Sequence, residues 1–178
     1  DLLDPAQGGT FAGRIVFASL CDKLIDVNKA LAFVPQLATA WSWSLDSRIL
    51  TLTLRKGVEF QDGQPFNADA VKANLDRYRT APYSVRKGEL KPVSAVEVID
   101  PETVRLVLSQ PYAPLVAVLS DRAGMMASPK AIQQLGKDFH KHPVCAGPFS
   151  FDQRVAQDHI TLQRFPGYWN AGAIHLDR

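Results

Sequence analysis

The stretch from Leu37 to Arg79 constrains the fold more than any other part of this chain, because its local pattern is unbroken over six successive elements. Leu50, Leu52 and Leu54 alternate with Thr51 and Thr53, a period of two that puts apolar side chains on one face of a strand and β-branched polar ones on the other. Leu45-Asp46-Ser47-Arg48 before it reads as a hairpin turn from an earlier strand. After it, a short third strand meets Asp62-Gly63, where glycine supplies the positive φ of a tight turn. Asn67 then stands where a helix N-cap belongs, Asp69 puts a carboxylate in the first turn, and Val71, Leu75 and Tyr78 recur at helical spacing. A helix beside half-buried strands makes this a mixed α+β domain.

The flanking segments extend that reading. Asp4 to Gly9 is a loop by composition, and Thr10 caps a helix expected from Phe11 to Leu24, with apolar residues on two sides: Phe11, Ile15 and Ala18, then Phe17, Leu20 and Leu24. Free backbone N–H groups at Gly8-Gly9-Thr10 suit an anionic or carbonyl group; a plain turn before a cap uses the same residues. Pro35 to Ala38 reads as one helical turn with proline at its first position. Tyr83 lies in a loop outside any apolar period, either as a contact residue or as a ring covering a core edge. Val93 to Leu108 is a hairpin turning at Asp100 to Thr103. Leu115 to Leu119 is a short helix, Met125 to Ala127 a small strand, and Lys130 to Leu135 a helix opened by Pro129 and closed by Gly136. Two more strands follow, Gly147 to Phe151 and His159 to Gln163, then an aromatic turn over Phe165 to Trp169 and the start of a strand at Ile174 to Leu176.

Several functions lack their residues. Twenty basic and 18 acidic side chains nearly cancel and form no long run of either sign, so no nucleic-acid surface is indicated. No run of apolar residues is long enough for a membrane-spanning helix, and the chain opens without a secretory apolar segment. There is no Gly-x-Ser-x-Gly elbow around Ser128 or elsewhere, and the glycines between Gly8 and Gly13 lack the Gly-Lys-Ser/Thr of a phosphate loop. His140 and His142 have no third ligand at usable spacing and read as a solvated pair. Cys21 and Cys145 are too few for a disulfide scaffold and leave one bridge or none open. With no catalytic set, no cofactor site and no metal site, binding is favoured over catalysis.

Specific blocks then resemble a known family. Pro35-Gln36-Leu37-Ala38-x-x-Trp41, Leu52-x-Leu54-Arg55-x-Gly57-Val58-x-Phe60-x-Asp62-Gly63-x-Pro65-Phe66-x-Ala68, Ser19 to Leu24, Ala146-Gly147-Pro148-Phe149 and Arg164-Phe165-x-x-Tyr168-Trp169 stand in the order seen in family 5 extracellular solute-binding proteins of peptide- and nickel-type ABC importers. The resemblance implies the first lobe of a periplasmic-binding-protein type II-like α/β fold, with mixed sheets and flanking helices. Residues 1–31 and 145–178 would line the cleft, residues 32–144 would form an outer subdomain, and the second lobe would be absent.

The resemblance also implies a functional setting. A peptide or similar small solute would be captured in the periplasm, its carrier having lost a signal peptide, and delivered to an ABC permease. No enzyme activity and no cofactor are implied. Loops carrying Gly8, Gly9 and Thr10, Tyr83, and Arg122 with Met125 would approach the solute. Cys21 and Cys145 fall in the same implied subdomain, so a disulfide between them is expected. A lobe by itself cannot close a cleft, and its unpaired strand edges would favour self-association as an interaction module, which is the alternative to solute capture.

Overall fold

The computed structural model describes residues 2–178. The central alternation behaves as its period requires. β3 (Ala38–Trp43) and β4 (Ile49–Leu54) pair antiparallel around a turn in which the Ser44 hydroxyl bonds the Asp46 carboxylate at 2.6 Å. β5 (Val93–Asp100) and β6 (Thr103–Leu108) form the second hairpin, and β4 pairs with β6, giving the order β3-β4-β6-β5. Leu50, Leu52 and Leu54 join Val104, Leu106 and Leu108 on one buried face, while Thr53 and Arg105 face solvent. Each such leucine contributes about 1.5–3 kcal/mol by leaving water.

α2 (Ala68–Thr80) closes the buried face. Asn67 caps it by accepting the Ala70 N–H at 3.0 Å, and Val71, Leu75 and Tyr78 are fully buried against the sheet. Two buried polar groups on the same helix have another task. Asn74 exchanges bonds with the backbone of Ala127 at 2.8 and 3.1 Å, and the Tyr78 hydroxyl donates to the Met125 carbonyl at 2.7 Å. The expected strand at Met125 to Ala127 is therefore replaced by isolated bridges, Lys23 to Met125 and Ala127 to Cys145, because side chains take backbone positions a strand partner would fill.

α1 (Phe11–Leu20) begins where expected, with the Thr10 hydroxyl accepting the Gly13 N–H at 3.0 Å, but it stops four residues early. Residues from Cys21 onward are extended because neighbours claim their backbone groups: Gly147 N–H reaches the Leu20 carbonyl, Met126 N–H the Asp22 carbonyl, and Leu24 N–H the Gly124 carbonyl. The extended run leads into β1 (Ile25–Val27), which pairs with β2 (Phe33–Pro35). Pro35 therefore ends a strand instead of starting a helical turn, and Leu37 and Ala38 donate to the Lys23 and Leu24 carbonyls. Burial on two sides of α1 is also corrected: Phe17 and Leu20 are buried, whereas Phe11 and Ile15 are 74% and 62% exposed.

α3 (Leu115–Val118) and α4 (Pro129–Leu135) follow as expected, Ser128 capping α4 and Gly136 ending it at φ 51°. β7 (Phe149–Val155) and β8 (His159–Arg164) form a separate antiparallel pair, and residues 174–178 form no strand. Every pairing between these strands is antiparallel.

Two apolar cores result. The larger lies between α2 and the four-stranded sheet. The smaller gathers Leu3, Phe17, Leu20, Met125, Ala131 and Phe139 around the Cys21–Cys145 disulfide, whose Cα atoms are 4.9 Å apart across 124 residues of sequence. Gln61 fastens the smaller core: its amide donates to the Leu20, Gly147 and Phe149 carbonyls at 2.9, 3.2 and 2.7 Å, and its oxygen accepts the Cys145 N–H at 2.8 Å.

Candidate functional site

The loop from Leu2 to Thr10 crosses the corner where α1, the end of α2 and the segment after it meet, and buried charge fixes its path. Asp4 is fully buried and accepts both terminal nitrogens of Arg77, from the last turn of α2, at 3.0 and 2.5 Å. Its other partners are local, the Ala6 N–H at 3.0 Å and the Gln7 side-chain amide at 2.8 Å. Burial works against the Arg77 charge, but the Asp4 carboxylate outweighs it and raises the guanidinium pKa. Such a charge-assisted fork is short and directional, as the fit of guanidinium to carboxylate demands.

Two further arginines reach the same loop. Arg86, 6% exposed, donates to the Gly8 carbonyl at 3.2 Å and to Glu89 at 2.5 Å. Arg122, in a 3-10 turn (Arg122–Gly124), donates to the Gly8 and Thr10 carbonyls at 3.2 and 3.3 Å. Burial raises the Glu89 pKa against the opposing pull of Arg86 and Arg122. Gly8 packs so closely on Phe17 that a Cβ there would lie 2.5 Å from the ring. Gly9 and Thr10, one and two residues on, are exposed.

The six residues expected to approach a solute are thus partly gathered. Gly8, Thr10 and Arg122 are joined by direct hydrogen bonds, with Gly9 between them. Tyr83 joins through Arg77, whose Nε donates to its hydroxyl at 3.2 Å and whose guanidinium lies 5.5 Å from its ring centre; the ring is 51% exposed. Met125 meets Arg122 through the backbone alone, its N–H donating to the Arg122 carbonyl at 3.2 Å. It is buried, and it lines a shallow groove of about 260 Å³ with Phe11, Arg14, Ile15, Lys23 and Asp121, across which Arg14 pairs with Asp121 at 2.9 Å.

Sequence reasoning does not single out Asp4, Arg77 or Arg86, and it places Phe11 and Ile15 on a buried side of α1 where the structure exposes them. Asp4 meets Arg77, and Arg86 meets Gly8, across more than 70 residues of sequence, so no local period signals those contacts.

Asp22, Gln36, Arg55, Tyr168 and Trp169, drawn from four of the blocks that carried the family resemblance, form one structural contact. Asp22 accepts the Tyr168 hydroxyl at 2.9 Å, the Trp169 indole N–H at 2.7 Å and the Gln36 amide at 3.1 Å. Arg55 stacks 3.8 Å from the Trp169 ring centre and donates to the Gln36 carbonyl. Burial pushes the Asp22 carboxyl up to about 6, although the bonds from Trp169 and Tyr168 pull the other way. The Tyr168 hydroxyl is raised by its own burial and by the Asp22 charge. Lys23 pairs with Asp26 next door.

Among the described residues no group of three or more His, Cys, Asp or Glu side chains could hold a metal ion, and no helix is long and apolar enough to cross a membrane. His140 bonds the Lys137 carbonyl and His142 packs edge-on to Phe151, each with its own neighbour.

Comparison with known proteins agrees with this geometry. The chain is 37% identical over 176 residues to the glutathione-binding protein GsiB of Salmonella choleraesuis (strain SC-B67), and 36% identical to GsiB of Escherichia coli O157:H7. Each alignment covers 98% of this chain and 34% of the relative, so the chain spans about a third of the length of the curated relatives it matches. Among solved structures, the binding protein AgaA from A. tumefacien R10, in complex with agropinic acid, superposes with a TM-score of 0.90 at 26% identity, over 97% of this chain and 35% of that one. MoaA from the same source, in complex with mannopinic acid, superposes at 0.88 with 27% identity, over 95% of this chain and 36% of that one. The profile of bacterial extracellular solute-binding proteins, family 5 Middle, matches residues 32–178. By these matches the chain belongs to family 5 of the bacterial extracellular solute-binding proteins.

Proposed function

We propose that this chain is part of the solute-binding component of an ABC importer, capturing a peptide or similar small solute in the periplasm for delivery to a membrane permease, with no catalytic step. The observation that carries this reading is the corner where Gly8, Thr10 and Arg122 meet at hydrogen-bond distance beside the exposed start of α1, in a chain of this family. Gly8, Gly9, Thr10, Tyr83, Arg122 and Met125 are the proposed solute contacts. Residues 1–31 with 145–178 are read as the part that lines the cleft and residues 32–144 as the outer part.

The relatives named for glutathione make that tripeptide the first solute to test. Arg122 has the charge for a carboxylate: its guanidinium is held by the loop through one terminal nitrogen, and its side chain is 15% exposed at the same corner. Tyr83 offers an exposed ring and a hydroxyl at the same corner.

Titration calorimetry of the protein expressed from its complete reading frame, against glutathione and a set of dipeptides, tests the reading. One of these solutes should bind, and Arg122→Gln should weaken it by about tenfold or more, the cost of one charge-assisted hydrogen bond. Absence of binding across the set, or an unchanged affinity in R122Q, would overturn the assignment of solute class or of Arg122 respectively.

A further inference from the structure

We infer that Arg86 is a positioning residue for solute capture, fixing the Gly8–Thr10 loop from behind in the conformation that meets the solute. The inference rests on the solute-binding reading of that loop and adds a residue that no local pattern signals.

The geometry sets Arg86 behind the exposed residues Gly9, Thr10 and Tyr83. Its side chain is 7% exposed, and its two terminal nitrogens are both used, one on the Gly8 carbonyl and one on Glu89. The chain before it is tied to the same loop, since the Val85 N–H donates to the Ala6 carbonyl at 2.9 Å. Arg86 therefore spans from the segment after α2 to the residue at which the loop turns towards solvent.

Gly8 is the point where this grip matters. Its N–H donates to the Asp4 carbonyl at 2.7 Å, its Cα packs on Phe17 with no room for a side chain, and its carbonyl is shared by Arg86 and Arg122. A carbonyl held by two guanidinium groups cannot rotate without breaking two charge-assisted bonds. The next residues, Gly9 and Thr10, are exposed, and Thr10 caps α1 through Gly13. Glycine at two successive positions otherwise leaves the loop a wide choice of backbone conformations. Binding that must first order such a loop is weakened by the fraction of time the loop is misplaced.

The cluster is unlike one built for stability alone. Among the described residues the Nε atoms of Arg86 and Arg122 are buried without a hydrogen-bond partner, and a buried unpaired donor is destabilising. An apolar side chain at position 86 would avoid that cost and that of the buried charge. What it would lose is the hold on the Gly8 carbonyl.

The test uses the protein from its complete reading frame as wild type, Arg86→Met and Arg86→Lys, read in two ways. The first is hydrogen exchange at the hydrogen-bonded amides of Gly8, Gly13 and Arg14, with those of Leu52 and Leu106 as controls for the fold. R86M should speed exchange at the loop amides by about tenfold with the strand controls unchanged. R86K, whose single ammonium cannot reproduce the fork between Gly8 and Glu89, should speed it by about threefold and decides the matter if R86M fails to fold. Loop amides that exchange as in wild type in the folded variants overturn the inference without reference to any solute.

The second readout is calorimetric affinity for glutathione. Where wild type binds it, R86M should weaken binding by about tenfold, with R86K between the two. Loosened loop amides with unchanged affinity would show a merely structural arginine and also overturn the inference. Wild type that binds no member of the solute set strikes at the solute-binding reading and removes the functional half of the inference, a result distinct from either exchange outcome.

Discussion

Replacing both Cys21 and Cys145 by alanine should cost this chain about 5 kcal/mol of stability. The two residues lie 124 positions apart and are almost fully buried, so the crosslink closes about 70% of the chain into one loop in the unfolded state. For a loop of that length the lost chain entropy is about 16 cal/mol/K, or about 5 kcal/mol at 25 °C. In a chain of this size that corresponds to a fall in melting temperature of about 10–20 °C. The native contacts around the bridge survive the substitution, because Gln61 still joins the Cys145 backbone to the Leu20 carbonyl and Ala127 still pairs with residue 145.

Urea denaturation followed by the fluorescence of Trp41, Trp43 and Trp169 measures the effect. The m-value should rise in C21A/C145A, since an uncrosslinked unfolded chain exposes more surface. Wild type in reductant, once the bridge is opened, should lie within about 1 kcal/mol of the double variant. A loss below about 1 kcal/mol with an unchanged m-value would refute the reasoning, and would mean that the Gln61 bonds and the smaller core hold these segments together even in the denatured ensemble.

Two other perturbations have signs set by single contacts. Asp22 titrates at about 6 in the folded chain against 3.8 when unperturbed, so between about pH 4 and 6 the folded state holds more protons than the unfolded one. Its contribution is full below about pH 4 and is lost as pH rises through 6, by about 3 kcal/mol at most; Asp22→Asn should remove that slope from the pH dependence of the urea midpoint, and a slope that survives refutes the assignment. A Cβ at Gly124 would lie 1.8 Å from the Leu119 carbonyl oxygen, so Gly124→Ala should cost more than about 3 kcal/mol, while Gly172→Ala, with open space around it, should change the midpoint by less than about 0.5 kcal/mol. Equal midpoints for the two variants would contradict the close approach at Gly124.

The contrast between what was legible in the sequence and what was not follows the range of the forces involved. Leu50, Leu52 and Leu54, the Asn67 cap and the Val71, Leu75 and Tyr78 stripe are settled by neighbours within a few residues, so a periodic pattern suffices to place them. α1 ends at Leu20, short of its expected length, although nothing in the sequence at Cys21 stops a helix. Its termination comes from backbone groups of Gly124, Met126 and Gly147, all more than 100 residues away. Pro35 to Ala38 departs from a helical turn because, although proline suits a first helical turn, the N–H groups of Leu37 and Ala38 donate to the Lys23 and Leu24 carbonyls 14 residues away.

The candidate site lies at the far end of that scale. Asp4 finds Arg77, Gly8 finds Arg86, and both Gly8 and Thr10 find Arg122, across separations of 73, 78, 114 and 112 residues. Each of these residues looks ordinary where it stands: an aspartate before a proline, a glycine in a loop, arginines in polar segments. The resemblance to a family brought Gly8, Thr10 and Arg122 forward as a set, but it could not reveal the arginines behind them, because a residue buried to hold a loop leaves no mark in the loop's own sequence. A loop rich in glycine has little conformational preference of its own and gains its shape from such remote groups. The candidate site therefore rests on the contacts least visible to local pattern, whereas the clearest pattern, from Leu37 to Arg79, supplies the sheet and the helix whose last turn sets Arg77 beneath Asp4.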